Sequence, residues 1–288
     1  MKTLGLIWII LITFFGLGRT DSGYVTTILP FKMILQDVIG RQDTVFTILP
    51  PGASPHTYEI KPSEISRIEK SRALFYGAEN LDGWVRNVAH SHPVKLLEML
   101  PSDRVLSIDK INPDGDRQPV GPDPHFWSDP LAVKALLPAL VDTLCRLQPE
   151  GCTVFRKNAE IFSAHLDTLH RRIQQQLFSL GNPKVLLSHP FFQYYLKRFG
   201  FEIMGIIETI PGTEPTPKDL RNLIELAKRH QAQAILVHAQ HSPRAAELIA
   251  EAAALKLIRL DPIGGIPGRE TYEKWLQYNT RLLVEGLK

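Results

Sequence analysis

The sequence lacks the features that mark several classes of protein. No run of lysine or arginine is long enough to indicate nucleic-acid binding, and the formal net charge is only +3. Beyond the first twenty residues, no apolar segment is long enough to cross a bilayer. There is also no low-complexity tract and no short-period repeat. We therefore expect a soluble mature chain that has no nucleic-acid partner.

The N terminus predicts a secretory signal peptide over residues 1–20. Lys2 precedes an apolar run from Leu4 to Leu17, and small residues lead to the polar Arg19-Thr20-Asp21. A membrane-spanning helix needs about 20 apolar residues, so this run is short for the alternative, an uncleaved anchor. No cysteine near the cleavage region could carry a lipid anchor. We therefore expect export, without an anchor, to the periplasm of a bacterium with two membranes.

The chain has only two cysteines, Cys145 and Cys152. Six residues separate them, and Pro149 and Gly151 allow the chain to turn between them. Because an exported protein meets an oxidising compartment, the sequence predicts a disulfide bond between them. The alternative is two unrelated buried thiols.

Short strand-like segments alternate with helical ones, and 288 residues suffice for one large core or two ordinary ones. The predicted strands are Tyr24–Ile28, Val45–Leu49, Ala73–Tyr76, Val94–Leu97, Val185–Leu187, Ile203–Ile206, Ala234–Val237 and Leu257–Leu260. The predicted helices include Pro62–Lys70, Leu81–Ala89, Pro130–Leu147, Phe191–Phe199, Pro217–Arg229, Pro243–Ala253 and Tyr272–Leu287. Asp129-Pro130 and a capping box at Thr216–Asp219 mark two of the helix starts.

One segment breaks this alternation. From about Thr153 to Leu180 only helical spacing is present, and such a helix would be on the order of 40 Å long. The predicted fold is therefore α/β with two lobes, each a mostly parallel four-stranded sheet flanked by helices. One long rigid helix would join them. The expected division is a signal peptide at 1–20, an N-terminal lobe at 21–150, a connecting helix at 151–181 and a C-terminal lobe at 182–288.

Four potential metal ligands follow predicted strands or precede a long helix. His189 and Asp261 come after strands of the second half, whereas His56 and His125 lie in proline-containing loops of the first half. In open α/β sheets, ligands bind beyond the carboxyl ends of the strands. With two candidates in each half, all four could converge in the cleft between the lobes.

Three imidazoles and one carboxylate are a plausible tetrahedral zinc set. Each would bind through a deprotonated atom, which suits neutral pH. The spacing alone is weak evidence, since no zinc-finger spacing is present and a single histidine is more often structural. His238 and His241 also follow a strand end, so a secondary metal contact through them stays open.

The segments around these residues resemble the metal-site motifs of zinc/manganese-type solute-binding proteins of bacterial ABC transporters. The resemblance runs in order from about Tyr24 to the C terminus. Its motifs are Pro51–Glu59, Asp123–Pro130, Ser188–Tyr195 and Leu260-Asp261-Pro262, with a further block at Glu214–Leu220.

The resemblance implies two lobes on a rigid helix, with His56, His125, His189 and Asp261 as the metal ligands. It also implies a monomeric, non-enzymatic protein that delivers its metal ion to a membrane permease. Zinc is the expected metal, because manganese-type relatives tend to have a carboxylate where this chain has His189. Manganese is the first alternative.

This chain departs from the family pattern at two places. The segment Lys110–Gly121 is short and has no histidine, whereas many zinc-type members carry a long histidine-rich insert there. His238 stands at a position that is commonly acidic in relatives. The first departure argues against metal scavenging by a flexible loop.

Two functions of other classes compete with transport. A secreted zinc hydrolase would need an open coordination position and a nearby base. The chain has no HExxH motif. Near the proposed site, Glu59 and Glu208 are the only acidic residues that could act as the general base. An adhesin or structural module, with the metal stabilising the fold, would unfold when the metal is removed.

Overall fold

The computed structural model describes residues 23–88, 93–111, 116–210, 212–238 and 243–288. The predicted signal peptide and His241 lie outside these ranges, so both stay predictions. Among the described helices, none combines the length and apolar character needed to cross a membrane.

The N-terminal lobe is built on a parallel sheet of four short strands. Its elements are β1 (Tyr24–Thr26), α1 (Leu29–Ile39), β2 (Val45–Thr47), α2 (Pro62–Lys70), β3 (Ala73–Tyr76), α3 (Glu79–Asp82) and β4 (Pro93–Lys95). The strand order is β2-β1-β3-β4. Strands β1 and β3 are buried throughout, as expected for central strands covered on both faces.

Two features of this lobe differ from the sequence prediction. The helix predicted over Leu81–Ala89 is instead the short α3, followed by a 3₁₀ turn over Gly83–Asn87, since Gly83 weakens an α-helix at that point. An antiparallel hairpin of β5 (Ser107–Ile111) and β6 (Arg117–Pro122) was not predicted. Strand β6 is largely exposed and contains prolines, which suits an edge strand but hides the usual apolar alternation.

Two long helices lie between the two parallel sheets in the chain. The first, α4 (Pro130–Leu147), begins where the Asp129 side chain accepts a hydrogen bond from the Leu131 amide, so the predicted cap is confirmed. The second, α5 (Cys152–Leu177), has 26 residues and is about 39 Å long. It ends close to the predicted Leu180. The Cys145–Cys152 disulfide closes the turn between the two helices, which confirms the predicted bond.

The C-terminal lobe repeats the parallel architecture. Its elements are β7 (Lys184–Leu187), α6 (Gln193–Arg198), β8 (Glu202–Ile206), α7 (Pro217–Arg229), β9 (Ala234–His238), α8 (Arg244–Ala253), β10 (Lys256–Leu260) and α9 (Tyr272–Leu287). The strand order is β10-β9-β7-β8, all parallel. The predicted capping box is confirmed: Thr216 caps the Asp219 amide, and the Asp219 carboxylate accepts from the Thr216 amide.

Helix α5 makes the two lobes one packed body. Its buried side chains recur at helical spacing along one face, which packs against α1, α4 and α9. They are Phe155, Ala159, Phe162, Leu166, Leu169, Ile173 and Leu177. Two parallel four-stranded sheets, flanked by helices and joined by a long helix, confirm the predicted fold class. The residue boundaries of the lobes stay predictions.

Candidate metal site

Three of the four candidate ligands meet where loops from the two lobes face each other. His56 lies in the loop after β2, His125 precedes α4, and His189 directly follows β7. One ring nitrogen from each of them lies within 4.8 Å of the other two. The ring centroids are 5.0 Å apart for His56–His189 and His125–His189, and 5.7 Å apart for His56–His125. Among the described residues, this is the one group of three that could hold a metal ion.

Backbone carbonyls orient two of these rings. The His56 Nδ1 lies 3.1 Å from the Asn80 carbonyl oxygen, and the His189 Nδ1 lies 3.2 Å from that of Glu208. A carbonyl oxygen only accepts, so each Nδ1 carries a proton, and in the neutral ring Nε2 then presents a lone pair. The Asn80 side-chain amide also donates to the Pro122 carbonyl at 3.0 Å, which ties the turn that orients His56 to the loop of His125.

A buried carboxylate orients the third ring. Asp123 Oδ1 lies 2.7 Å from the His125 Nδ1 and also accepts from the His125 backbone amide at 2.9 Å. Its other oxygen accepts from the Gln193 side-chain amide at 3.0 Å, and Tyr194 donates to its backbone carbonyl at 3.1 Å. Asp123 is completely buried and His125 is 2% exposed. The carboxylate therefore links His125, from the first lobe, to helix α6 of the second.

With these bonds made, the Nε2 atom of each of the three rings stays available to a metal ion. The Nε2 atoms of His56 and His189 are 3.1 Å apart. With both protons on Nδ1, two lone pairs oppose each other at that distance, which favours a cation between them. For comparison, the edge of a tetrahedral zinc site with Zn–N of 2.0–2.1 Å is about 3.3–3.4 Å long. The Nε2 spacing of His56 and His189 is therefore close to that of two nitrogen ligands on one zinc ion.

Two buried aromatic residues, Trp127 and Tyr272, connect the loop of His125 to the second lobe. The Trp127 ring centroid is 5.2 Å from that of His125, and its Nε1 donates to the Pro262 carbonyl at 3.1 Å. The Tyr272 hydroxyl donates to the Trp127 carbonyl at 2.7 Å. Because these groups are buried, they fix the loop of His125 against the second lobe.

Asp261, the fourth candidate, does not belong to the group of three nitrogens. It follows β10, but its Oδ2 accepts from the Arg269 Nη1 at 2.6 Å. Its Oδ1 accepts from the backbone amides of Gly264 at 2.9 Å and Ile263 at 3.3 Å. Asp261 as a ligand stays a prediction, and in this structure its Oδ2 is paired with the Arg269 guanidinium.

Two further residues that the sequence singles out, His238 and Glu208, lie beside His189. His238 is buried, with its ring centroid 6.0 Å from that of His189 and 4.5 Å from that of Phe191. Glu59 is exposed, and Glu208 contributes its backbone carbonyl. Sequence reasoning missed Asp123 and Gln193 as supports. Both lie inside the quoted motifs, but only the fold shows that the two motifs meet.

The chain is similar to known metal-binding proteins over almost its whole length. The family described as zinc-uptake complex component A, periplasmic, matches residues 25–286. A Thermotoga maritima protein named for metal binding is 26% identical over 290 residues, covering 100% of both chains. The manganese-binding lipoprotein MntA of Halalkalibacterium halodurans is 23% identical, covering 94% of this chain and 93% of its own.

A solved structure adds to this. The Zn(II)-bound form of a mutant variant of AdcAII from Streptococcus pneumoniae is 25% identical and has a TM-score of 0.75, covering 93% of this chain and 99% of its own. Proteins of the family are metal-binding transport proteins, not enzymes, which makes a hydrolase the wrong class. They work with ABC-transporter permeases and are periplasmic or extracellular. This chain belongs to the family of periplasmic zinc-uptake component A proteins.

Proposed function

We propose that this chain captures one zinc ion in the cleft between its lobes and delivers it to the membrane permease of an ABC-type importer. The family establishes a metal-binding solute-binding protein of such an importer. The observation that carries the choice of zinc is the group of three imidazoles whose Nδ1 atoms are all bonded to oxygen acceptors. We further propose that the protein acts as a monomer in the periplasm, without a lipid anchor.

Three preoriented imidazole nitrogens suit zinc better than manganese. Imidazole suits zinc, copper, iron and nickel, whereas carboxylate, carbonyl and water oxygens suit manganese. Zinc also tolerates three protein ligands with a fourth position taken by water or an added oxygen. The Irving–Williams order favours zinc over manganese at almost any such site, so binding preference alone is weak support. The stronger support is the absence of a carboxylate from the group of described residues that converge.

The hydrogen bonds that the three Nδ1 atoms donate would favour capture of a metal ion. A ligating histidine usually donates its other ring N–H to a carbonyl or carboxylate, which fixes the tautomer and the ring orientation. His125 and His189 are each 2% exposed, so both rings are held before an ion arrives. His56 is more exposed and lies in a loop braced by the Trp84 Nε1, which donates to the Pro55 carbonyl at 2.8 Å. We propose that the metal ion reaches the site, and leaves it, on the side of His56, the most exposed of the three histidines.

Equilibrium competition against a zinc indicator tests this function. The mature chain, freed of metal by a chelator, should bind one zinc ion tightly, and more tightly than manganese. His125→Ala should weaken zinc binding by more than about 100-fold, a larger loss than removal of a supporting residue causes. His230→Ala is the matched control, because His230 lies at the C-terminal end of α7, outside the group of three histidines, and should not change the affinity.

Three results would contradict the proposal. They are the absence of tight binding, two equal tight sites, or zinc binding that His125→Ala leaves unchanged. Tighter binding of manganese than of zinc would move the assignment to the manganese alternative.

A further inference from the structure

The ion pair between Asp261 and Arg269 is held from several directions. The Arg269 Nη1 lies 2.6 Å from the Asp261 Oδ2, and the two side chains are only 16% and 12% exposed. The same guanidinium lies over the Tyr278 ring, with its Cζ 3.8 Å from the centroid. A charge-assisted hydrogen bond away from bulk water is stronger than a surface ion pair. The Asp261–Arg269 ion pair should therefore be stronger than a typical solvent-exposed ion pair.

The loop that carries this pair also fixes the carboxylate. The amides of Ile263 and Gly264 donate to Oδ1, and the Asn279 side-chain oxygen accepts from the Asp261 amide at 2.8 Å. Gly264 has a φ of 71°, in the left-handed region that glycine adopts readily, and this places its amide toward Oδ1. Both carboxylate oxygens are thus held in this structure, Oδ1 by the two loop amides and Oδ2 by Arg269.

We propose that Arg269 competes with the metal ion for Asp261 and thereby sets the preference of the site for zinc over manganese. The inference rests on the proposed function, because it takes the three histidines as the metal ligands. Arg269 would act through Asp261 and would not touch the ion itself.

The selectivity follows from what each metal needs. Zinc is satisfied by three imidazoles and one further ligand, which water can provide. Manganese favours oxygen donors, so it depends more strongly on recruiting the Asp261 carboxylate. Any metal ion that binds the Asp261 carboxylate must first break its ion pair with Arg269. The free energy of breaking that pair therefore reduces manganese affinity more than zinc affinity. Arg269 therefore weakens manganese binding more than zinc binding.

The test is a double-mutant cycle read out by equilibrium competition with zinc and with manganese. Arg269→Gln should tighten manganese binding by about tenfold, as expected if one charge-assisted hydrogen bond no longer competes. Zinc affinity should change less, so the zinc-to-manganese affinity ratio narrows. In an Asp261→Asn background the same change should leave the ratio unaltered. Arg281→Gln is the matched control, because Arg281 also lies over the Tyr278 ring, at 5.5 Å, and pairs with the exposed Glu285.

Two outcomes would overturn the inference. One is an unchanged ratio in a folded Arg269→Gln protein, and the other is a narrowing that persists in the Asp261→Asn background. If Arg269→Gln does not fold, Arg269→Lys replaces it. Lysine keeps the charge but not the guanidinium fork, so a smaller narrowing is expected and an unchanged ratio counts against the inference. Failure of the proposed function is distinct, because the wild-type protein would then lack tight, His125-dependent zinc binding.

Discussion

Asp123 offers the sharpest test of how the protein holds His125. Its carboxylate is fully buried and accepts three hydrogen bonds, two from His125 and one from Gln193. Asp123→Asn keeps the shape but replaces one acceptor oxygen with an NH₂ donor. The new NH₂ group must face one of two partners. One is the Gln193 Nε2, which is also a hydrogen-bond donor, and the other is the His125 Nδ1. In the second case His125 changes tautomer and its Nε2 carries the proton, which stops it from binding a metal.

The size of the loss can be worked out from this geometry. Removing the partner that orients a ligating histidine typically costs 10–100-fold in metal affinity. We therefore expect zinc binding to weaken by about that factor, which corresponds to about 1.4–2.8 kcal/mol. A buried donor left without an acceptor should also lower the free energy of unfolding by about 1–3 kcal/mol.

Zinc competition and urea unfolding of the same protein separate the two effects. Asp167→Asn is the control, since this carboxylate pairs with Lys134 on the surface, with 37% and 39% of the side chains exposed. It should leave zinc affinity unchanged. A folded Asp123→Asn protein with wild-type zinc affinity would refute the role given to Asp123.

Three further predictions concern other parts of the molecule. His189→Glu should narrow the zinc-to-manganese affinity ratio, on the order of tenfold, because a carboxylate suits manganese better than imidazole does. Reducing the Cys145–Cys152 disulfide should lower the free energy of unfolding by about 2.5 kcal/mol, the entropy of the short loop it closes, and leave zinc affinity unchanged. Burial raises the pKa of Asp82 from 3.8 to about 6, so the folded chain keeps a proton that the unfolded chain releases. The free energy of unfolding should therefore fall by up to about 3 kcal/mol between pH 4 and 6, and Asp82→Asn should flatten this slope.

Each of these has a result that counts against it. A His189→Glu protein with the wild-type ratio would mean that His189 does not select the metal. Two alkylatable thiols in the native protein, found by mass spectrometry, would show that the disulfide does not form. Urea unfolding with the same pH slope in the wild-type and Asp82→Asn proteins would assign that slope to another group.

Much of the fold was predictable because its signals are local. Buried parallel strands are short apolar runs, and helix starts carry caps such as Asp129 and Thr216, so element types follow from nearby residues. The hairpin of β5 and β6 was missed because its second strand is exposed and contains prolines. The helix predicted over Leu81–Ala89 was too long because spacing outweighed the effect of Gly83.

The candidate site was predictable only in part. The rule that ligands bind beyond strand ends suggested that His56 and His189 could meet, whereas His125 precedes a helix and entered the set through the family resemblance. The ion pair between Asp261 and Arg269 could not be predicted from the sequence, because Arg269 lies in an irregular loop that has no periodic pattern. Likewise, the bond from Gln193 to Asp123 joins residues 70 positions apart and depends on how the lobes meet.

The most direct test of the central claim is anomalous diffraction at the zinc edge from crystals of the zinc-loaded protein. We predict one strong peak between the lobes, within about 2.0–2.1 Å of the Nε2 atoms of His56, His125 and His189. A single strong peak elsewhere, or one that fewer than two of these histidines contact, would contradict it.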